Sequence, residues 1–211
     1  MESAIENLDT WEPRTAQLLE GAVRIAETLT SLLDRRQATI ELLTSLVNAR
    51  ACLWAWGHGD GLAQGVIPVA WLATGIAPEQ MSVVAEMGLE PAMEEFYRQP
   101  ILKLMAGKSQ CTVSRQQIVD DSHWSDSTMR GCLLRIGMDE WLHSLQYSNG
   151  SVWSSLLLLR DMGKPRFDPH DVSLIDLAMS SLEWLHAAAV EQPVGQRLTT
   201  CSKCGIALGN S

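Results

Sequence analysis

Residues 139–188 restrict the folds open to this chain more than any other stretch. Two strand-like runs, Trp141–Tyr147 and Val152–Arg160, are joined through Asn149-Gly150. Asn-Gly is a strong two-residue hairpin signal because both positions tolerate positive φ. A turn at Gly163-Lys164-Pro165 follows, and a helix opens at Asp168-Pro169-His170-Asp171. Asp168 suits the N-cap, Pro169 the first helical position, and Asp171 the positive end of the helix dipole. The helix is expected over 169–189, with Val172, Ile175, Met179, Leu182 and Leu185 as its buried stripe. A hairpin that feeds a terminal helix is the closing unit of a sheet covered by helices.

At the other end, Leu18, Ala22, Ile25, Leu29 and Leu32 recur with the alternating spacing of a coiled-coil seam. The stripe resumes beyond Arg36 with Ile40, Leu43 and Val47. Either one helix runs to about residue 48, or a break near Asp34-Arg35-Arg36 divides it. Its seam packs either on its own domain or on a partner helix. Ala51–Gly57 reads as a strand ending in Gly57-His58-Gly59-Asp60-Gly61, a hairpin turn that leads into a second strand over Gln64–Thr74. Pro78–Leu104 is mostly helical, with a break at Gly88 and Pro91. Gln110–Val113 is a short strand, and Ser125–Ile136 a helix started by Ser125 or Asp126. This order predicts an α+β fold, a mainly antiparallel sheet flanked by helices. The expected divisions are an N-terminal dimerisation helix over 1–35, a sensory-type domain over 36–190 and a tail over 191–211.

Composition narrows the function classes. Among 211 residues, 46% are hydrophobic and 19% charged, which suits a packed core rather than a disordered chain. The net charge of −9 disfavours a phosphate-neutralising surface, so no direct nucleic-acid contact is expected. Residues 1–12 carry acids and no basic n-region, and no run of eighteen apolar residues occurs. Neither a secretory signal nor a membrane span is expected, and the protein is expected in the cytoplasm. Cys52, Cys111 and Cys132 stand in apolar contexts, as reduced core cysteines do.

Two stretches carry a likeness to a known family. One is Ser122-His123-Trp124-Ser125-Asp126-Ser127, followed by Arg135-Ile136-Gly137-Met138-Asp139-Glu140 and Leu142-His143-Ser144. The other is Leu159-Arg160, Gly163-Lys164-Pro165-Arg166-Phe167, Asp171, Leu174 and Leu182-Glu183-Trp184-Leu185-His186. Together, over roughly residues 36–190, they resemble the GAF-like N-terminal sensory domains of LuxR-type helix-turn-helix transcriptional regulators. The resemblance implies a GAF fold, a cavity between the sheet and its middle helices, and a ligand-sensing rather than catalytic role. It also implies a DNA-binding unit, but the tail from Gln192-Pro193 to Ser211 has no two-helix pattern, so reading of DNA by that route is not expected of this chain.

The remaining motifs are weak. Gly107-Lys108-Ser109 looks like the end of a P-loop, but Leu102 stands where the motif needs its first Gly. Cys201-x-x-Cys204-Gly205 is half a zinc knuckle without a second pair of ligands, and no metal or cofactor is expected. Cys52, Cys111 and Cys132 leave open a thiol enzyme of methionine sulfoxide reductase type, with Arg135 able to assist Cys132. The five histidines show no metal-binding spacing. Tryptophan is the unusual residue: eight, against two Tyr and two Phe. Buried indoles need partners for their N–H, so a cluster of them suits an apolar cavity with a few polar points. The candidate lining is Trp54, Trp56, Trp71, Trp124, Cys132, Trp141 and His143, for a small apolar or aromatic ligand. Trp54 and Trp56 share one face of the first strand, and Trp141 is expected to join them. A homodimer through helices 14–48 and 169–190 is expected, and a core filled with Trp for want of Phe, serving a ligand-free dimerisation module, is the alternative.

Overall fold

Antiparallel pairing accounts for every contact within the main sheet. The computed structural model describes residues 8–58, 70–89, 97–148, 152–186, 199–200 and 207–208. Helices α1 (Leu8–Thr28) and α2 (Leu32–Leu46) lead into strands β1 (Ala51–His58) and β2 (Ala70–Thr74). Helices α3 (Met81–Leu89) and α4 (Gln99–Met105) precede β3 (Gln110–Ser114). Three short helices follow, α5 (Arg115–Ile118), α6 (Asp121–Ser125) and α7 (Thr128–Arg135). Strands β4 (Met138–Ser148) and β5 (Val152–Asp161) and helix α8 (Pro169–Ser181) complete the domain. The strand order is β2-β1-β5-β4-β3, which is the expected α+β arrangement of an antiparallel sheet with flanking helices.

The β4–β5 hairpin is as read from sequence, with one difference. Ser148 pairs with Val152, which leaves three positions between the strands rather than two. Asn149 and Gly150 themselves lie outside the described residues, as do Gly59–Gly61, Gln64–Val69, Pro91 and the Cys201–Cys204 pair. Gly107 has φ +74 and Lys108 N–H donates to Met105 O at 2.8 Å, so the P-loop-like triplet is the tight turn between α4 and β3.

Period two along each strand sorts the core into two layers. Ala51, Trp141, Leu145, Trp153 and Leu159 face α3, α4 and α7, where Val84, Met87, Ile101, Met129 and Leu133 meet them. Cys52, Trp54, Trp56, Leu142, Leu156 and Leu158 face the other way, against Leu18 and Ala22 of α1, Ile40 and Leu43 of α2, and Leu174, Ile175 and Met179 of α8.

The N-terminal seam is therefore used inside the protomer. Leu18, Ala22 and Ile25 are all buried. Of the stripe expected over 169–189, Ile175 and Met179 are buried on α8 and Val172 is half-buried, while α8 ends at Ser181 and Leu182 and Leu185 are buried beyond it. Among the described residues of this unit, the large apolar side chains left exposed are Leu19, Val23 and Leu33. The helix break also falls earlier than Asp34. Ser31 accepts Asp34 N–H at 3.3 Å as N-cap of α2, while Arg35 donates to Leu29 O at 2.6 Å and Ala26 O at 2.9 Å, closing the end of α1.

One buried carboxylate joins these layers at their edge. Asp168 caps α8 by accepting Asp171 N–H at 2.8 Å, and Asp171 returns the bond by accepting Asp168 N–H at 3.0 Å. Asp171 also accepts from Arg160 of β5 at 2.8 Å and from Arg14 of α1 at 2.5 Å. Arg160 donates further to Val47 O, Pro165 O and Arg166 O, and lies 4.0 Å over the Phe167 ring. Removing one partner of such a buried pair leaves uncompensated charge. Asp171→Ala should lower unfolding free energy by about 3–5 kcal/mol in a urea titration. A loss below about 0.5 kcal/mol, the scale of an ordinary surface change, would show that α1 and α8 dock without it.

Candidate ligand site between the sheet and the middle helices

Strand β4 places Trp141, His143, Leu145 and Tyr147 on the face covered by α3, α4 and α7, because alternate side chains share a side. Tyr97, two residues before α4, lies on two of these rings. Its centroid is 5.4 Å from Trp141 at an edge-on 68°, and 5.1 Å from the His143 ring. Trp141 is 2% exposed and His143 3%. Yet Trp141 Nε1 and His143 Nδ1 have no hydrogen-bond partner among the described residues. A buried polar atom left in this way costs about 1–3 kcal/mol, so two of them two residues apart under one ring call for an explanation.

The other imidazole nitrogen is engaged. His143 Nε2 is 2.7 Å from Ser155 Oγ of β5. Burial pushes the His143 pKa down to about 3, so the ring is neutral at physiological pH. A Ser–His pair invites comparison with a nucleophile and its base. A base with so low a pKa accepts a proton poorly near pH 7, and the free Nδ1 lacks the acidic partner that would orient it. Burial also pushes the Tyr97 hydroxyl well above its usual pKa, so both groups are held uncharged.

The sequence-derived candidates divide between the two faces. Trp141 and His143 come together as expected. Trp124, from α6, belongs to the same core layer, but its indole N–H donates to Asp139 Oδ1 at 3.2 Å. Asp139 in turn takes a two-point ion pair from Arg130, at 2.7 and 3.0 Å. Ser127 caps α7 by accepting Arg130 N–H, and Gly137 turns the chain into β4 at φ +76. The residues that carried the family likeness here are thus structural: a cap, a turn and an anchored indole. The cap is Ser127, not Ser125 or Asp126, with a separate helix at 121–125 capped by Asp120. Cys132 packs in this layer from α7, and half-buried Trp71 pairs with Ala55 on the same side.

Trp54 and Trp56 do not belong to this site. They project from the opposite face into the layer under α1, α2 and α8, with Arg36 4.5 Å over the Trp54 ring. A shared face within β1 did not entail a shared face with β4, because the sheet register sets that relation. Trp54 Nε1 is also unpartnered, on the opposite face and beneath the Arg36 guanidinium. Tyr97 is not among the sequence candidates; it falls in the mostly helical stretch Pro78–Leu104, with nothing local to mark its contact with Trp141 and His143. Trp153, from β5, is buried in the same layer as Trp141.

The thiols offer little activation. Burial raises the pKa of Cys52, and desolvation raises that of Cys111. Arg135 pairs with Glu86 at 2.6 Å, with Cys132 only a lesser neighbour. Among the described residues, no three of His, Cys, Asp and Glu gather as metal ligands, and no helix is long and apolar enough to cross a membrane.

No family model matches the chain, and no curated protein does. Among solved structures, it is similar to the crystal structure of the N-acylhomoserine lactone dependent LuxR family transcription factor CepR2 from Burkholderia cenocepacia. That similarity covers 81% of this chain and 92% of that one, at 14% identity and a TM-score of 0.48.

His143 also leaves a mark on stability against pH. The folded ring stays neutral down to about pH 3, whereas the unfolded chain takes up the proton near the usual value of 6.5. The unfolded state then binds more protons, so stability contributed here is present above pH 6.5 and lost as pH falls toward 3. His186, lowered chiefly by burial, acts in the same direction. Urea unfolding at pH 7 and pH 5 should show His143→Phe losing on the order of 2 kcal/mol less than the parent over that interval. Equal losses in both proteins would place the His143 ring in water.

Proposed function

We propose that this chain is a ligand-sensing regulatory domain, of the GAF-like kind found at the N-terminus of LuxR-type transcriptional regulators, and that it binds rather than converts its ligand. The observation that carries this reading is the pair of free buried nitrogens, Trp141 Nε1 and His143 Nδ1, beneath the ring of Tyr97. An apolar wall with a few convergent polar atoms is the usual form of a small-molecule site. A small apolar or aromatic ligand there would touch the sheet and the layer of α3, α4 and α7 together. If it binds one arrangement of those helices better than another, it shifts their populations by that difference in affinity. The same strands support α1, α2 and α8 on their far side, which gives the change a route to a partner. The protein acts in the cytoplasm as a homodimer in this proposal, with Leu19 and Val23, 54% and 56% exposed on α1, as the apolar surface available for self-association.

Native mass spectrometry of freshly purified protein tests the ligand part. The parent should carry extra non-covalent mass that denaturation removes. Trp141→Leu should lose it, while Trp56→Leu, altered on the opposite face, should keep it with both variants folded by circular dichroism. Retention in Trp141→Leu and loss in Trp56→Leu would put the site on the wrong side of the sheet. Protein bare in all three forms would favour a ligand-free interaction module.

A further inference from the structure

The two free nitrogens also restrict what can fill the site. Trp141 and His143 are two residues apart on one strand, so their side chains leave the sheet about 7 Å apart. Tyr97 spans both rings. An indole nitrogen only donates, so the group that meets Trp141 must be an acceptor. The group that meets His143 depends on the tautomer. If the Ser155 hydroxyl donates to Nε2, then Nδ1 carries the proton and needs an acceptor. If Nε2 donates to Ser155, then Nδ1 needs a donor. An amide edge satisfies the pair in either case, because its carbonyl oxygen has two lone pairs and its N–H stands beside it.

Charge is disfavoured at the same place. An ion in a desolvated aromatic setting requires a counter-ion. The charged side chains at the nearby sheet end hold one another: Arg115 with Glu140 and Asp121, Arg130 with Asp139, and Arg166 with Asp121. The shifts of His143 and Tyr97 toward their uncharged forms agree with this. Arg98 follows Tyr97 in sequence, so an anion is the competing class that a test has to exclude.

We infer that the ligand is a small uncharged ring compound with an amide-like hydrogen-bonding edge, its carbonyl on Trp141 Nε1 and its edge reaching His143 Nδ1, with the ring against Tyr97. This rests on reading the face as a ligand site. Toluene, benzamide and benzoate share one ring and differ in the edge and in charge. Their affinities for the full chain at pH 7.5 can be measured by calorimetry and by the shift in melting temperature. Benzamide should bind about ten-fold more tightly than toluene and than benzoate, the usual size of one hydrogen bond in a dry site. Trp141→Phe keeps an aromatic ring but not the donor, so it should bring benzamide to within about three-fold of toluene measured on the same variant. Equal binding of toluene and benzamide to the parent would overturn the inference and leave an apolar ligand site standing. Tightest binding by benzoate would overturn it in favour of an anionic class. Binding of none of the three would overturn both this inference and the ligand reading.

Discussion

The register of β4 against β5 is the constraint on which the rest of the structure depends. Ten described pairs hold it, from Met138–Asp161 to Ser148–Val152, with one irregularity between Met138 and Glu140. Because side chains alternate, a slip of one residue would send Trp141 and His143 into the layer under α8 and bring Leu142 into their place. The irregularity leaves Asp139 outside the ladder, and its carboxylate reaches Arg130 and the Trp124 indole instead. A bulge that re-aims a side chain in this way is a common device at sheet ends. It ties α6 and α7 to the strand that carries the candidate site.

Polar groups are treated differently across the molecule. Buried charge is paired: Arg115 meets Glu140 at 2.7 and 3.2 Å and Asp121 at 2.6 Å, and Asp171 is held by two guanidinium groups and a backbone N–H. His186, on the other face, has both ring nitrogens engaged, by Ser154 Oγ and Met179 O. Trp54 Nε1, Gln146 Oε1 and Arg160 Nε are also buried without a partner among the described residues, but Trp141 Nε1 and His143 Nδ1 are the two whose rings meet Tyr97. They are neutral, adjacent and covered by the same ring, as a site shaped for a neutral polar partner would be.

Local chemistry made much of this legible from the sequence. The closing hairpin, the Asp168 cap with Pro169 behind it, the first strand and the α+β class all follow from turn residues, caps and period. What sequence could not settle was which residues meet across strands. Trp54 and Trp141 are each correctly placed on a strand, but only the pairing of β1 with β5, and of β5 with β4, reveals that they face opposite layers. The N-terminal stripe shows the same limit. Its spacing fits a partner helix as well as its own core, and the core holds it through Leu18 and Ala22. The place of Tyr97 was hidden for a related reason, since its ring contacts join residues distant in sequence.

A crystal structure of the protein as purified, at a resolution that places ordered water, would test the central claim most directly. Non-protein density is expected beside Trp141 and His143 at the rim of the Tyr97 ring, with an acceptor about 3 Å from Trp141 Nε1 and a second contact at His143 Nδ1. Both nitrogens bonded to protein atoms, with no non-protein density beside them, would be the contradicting result.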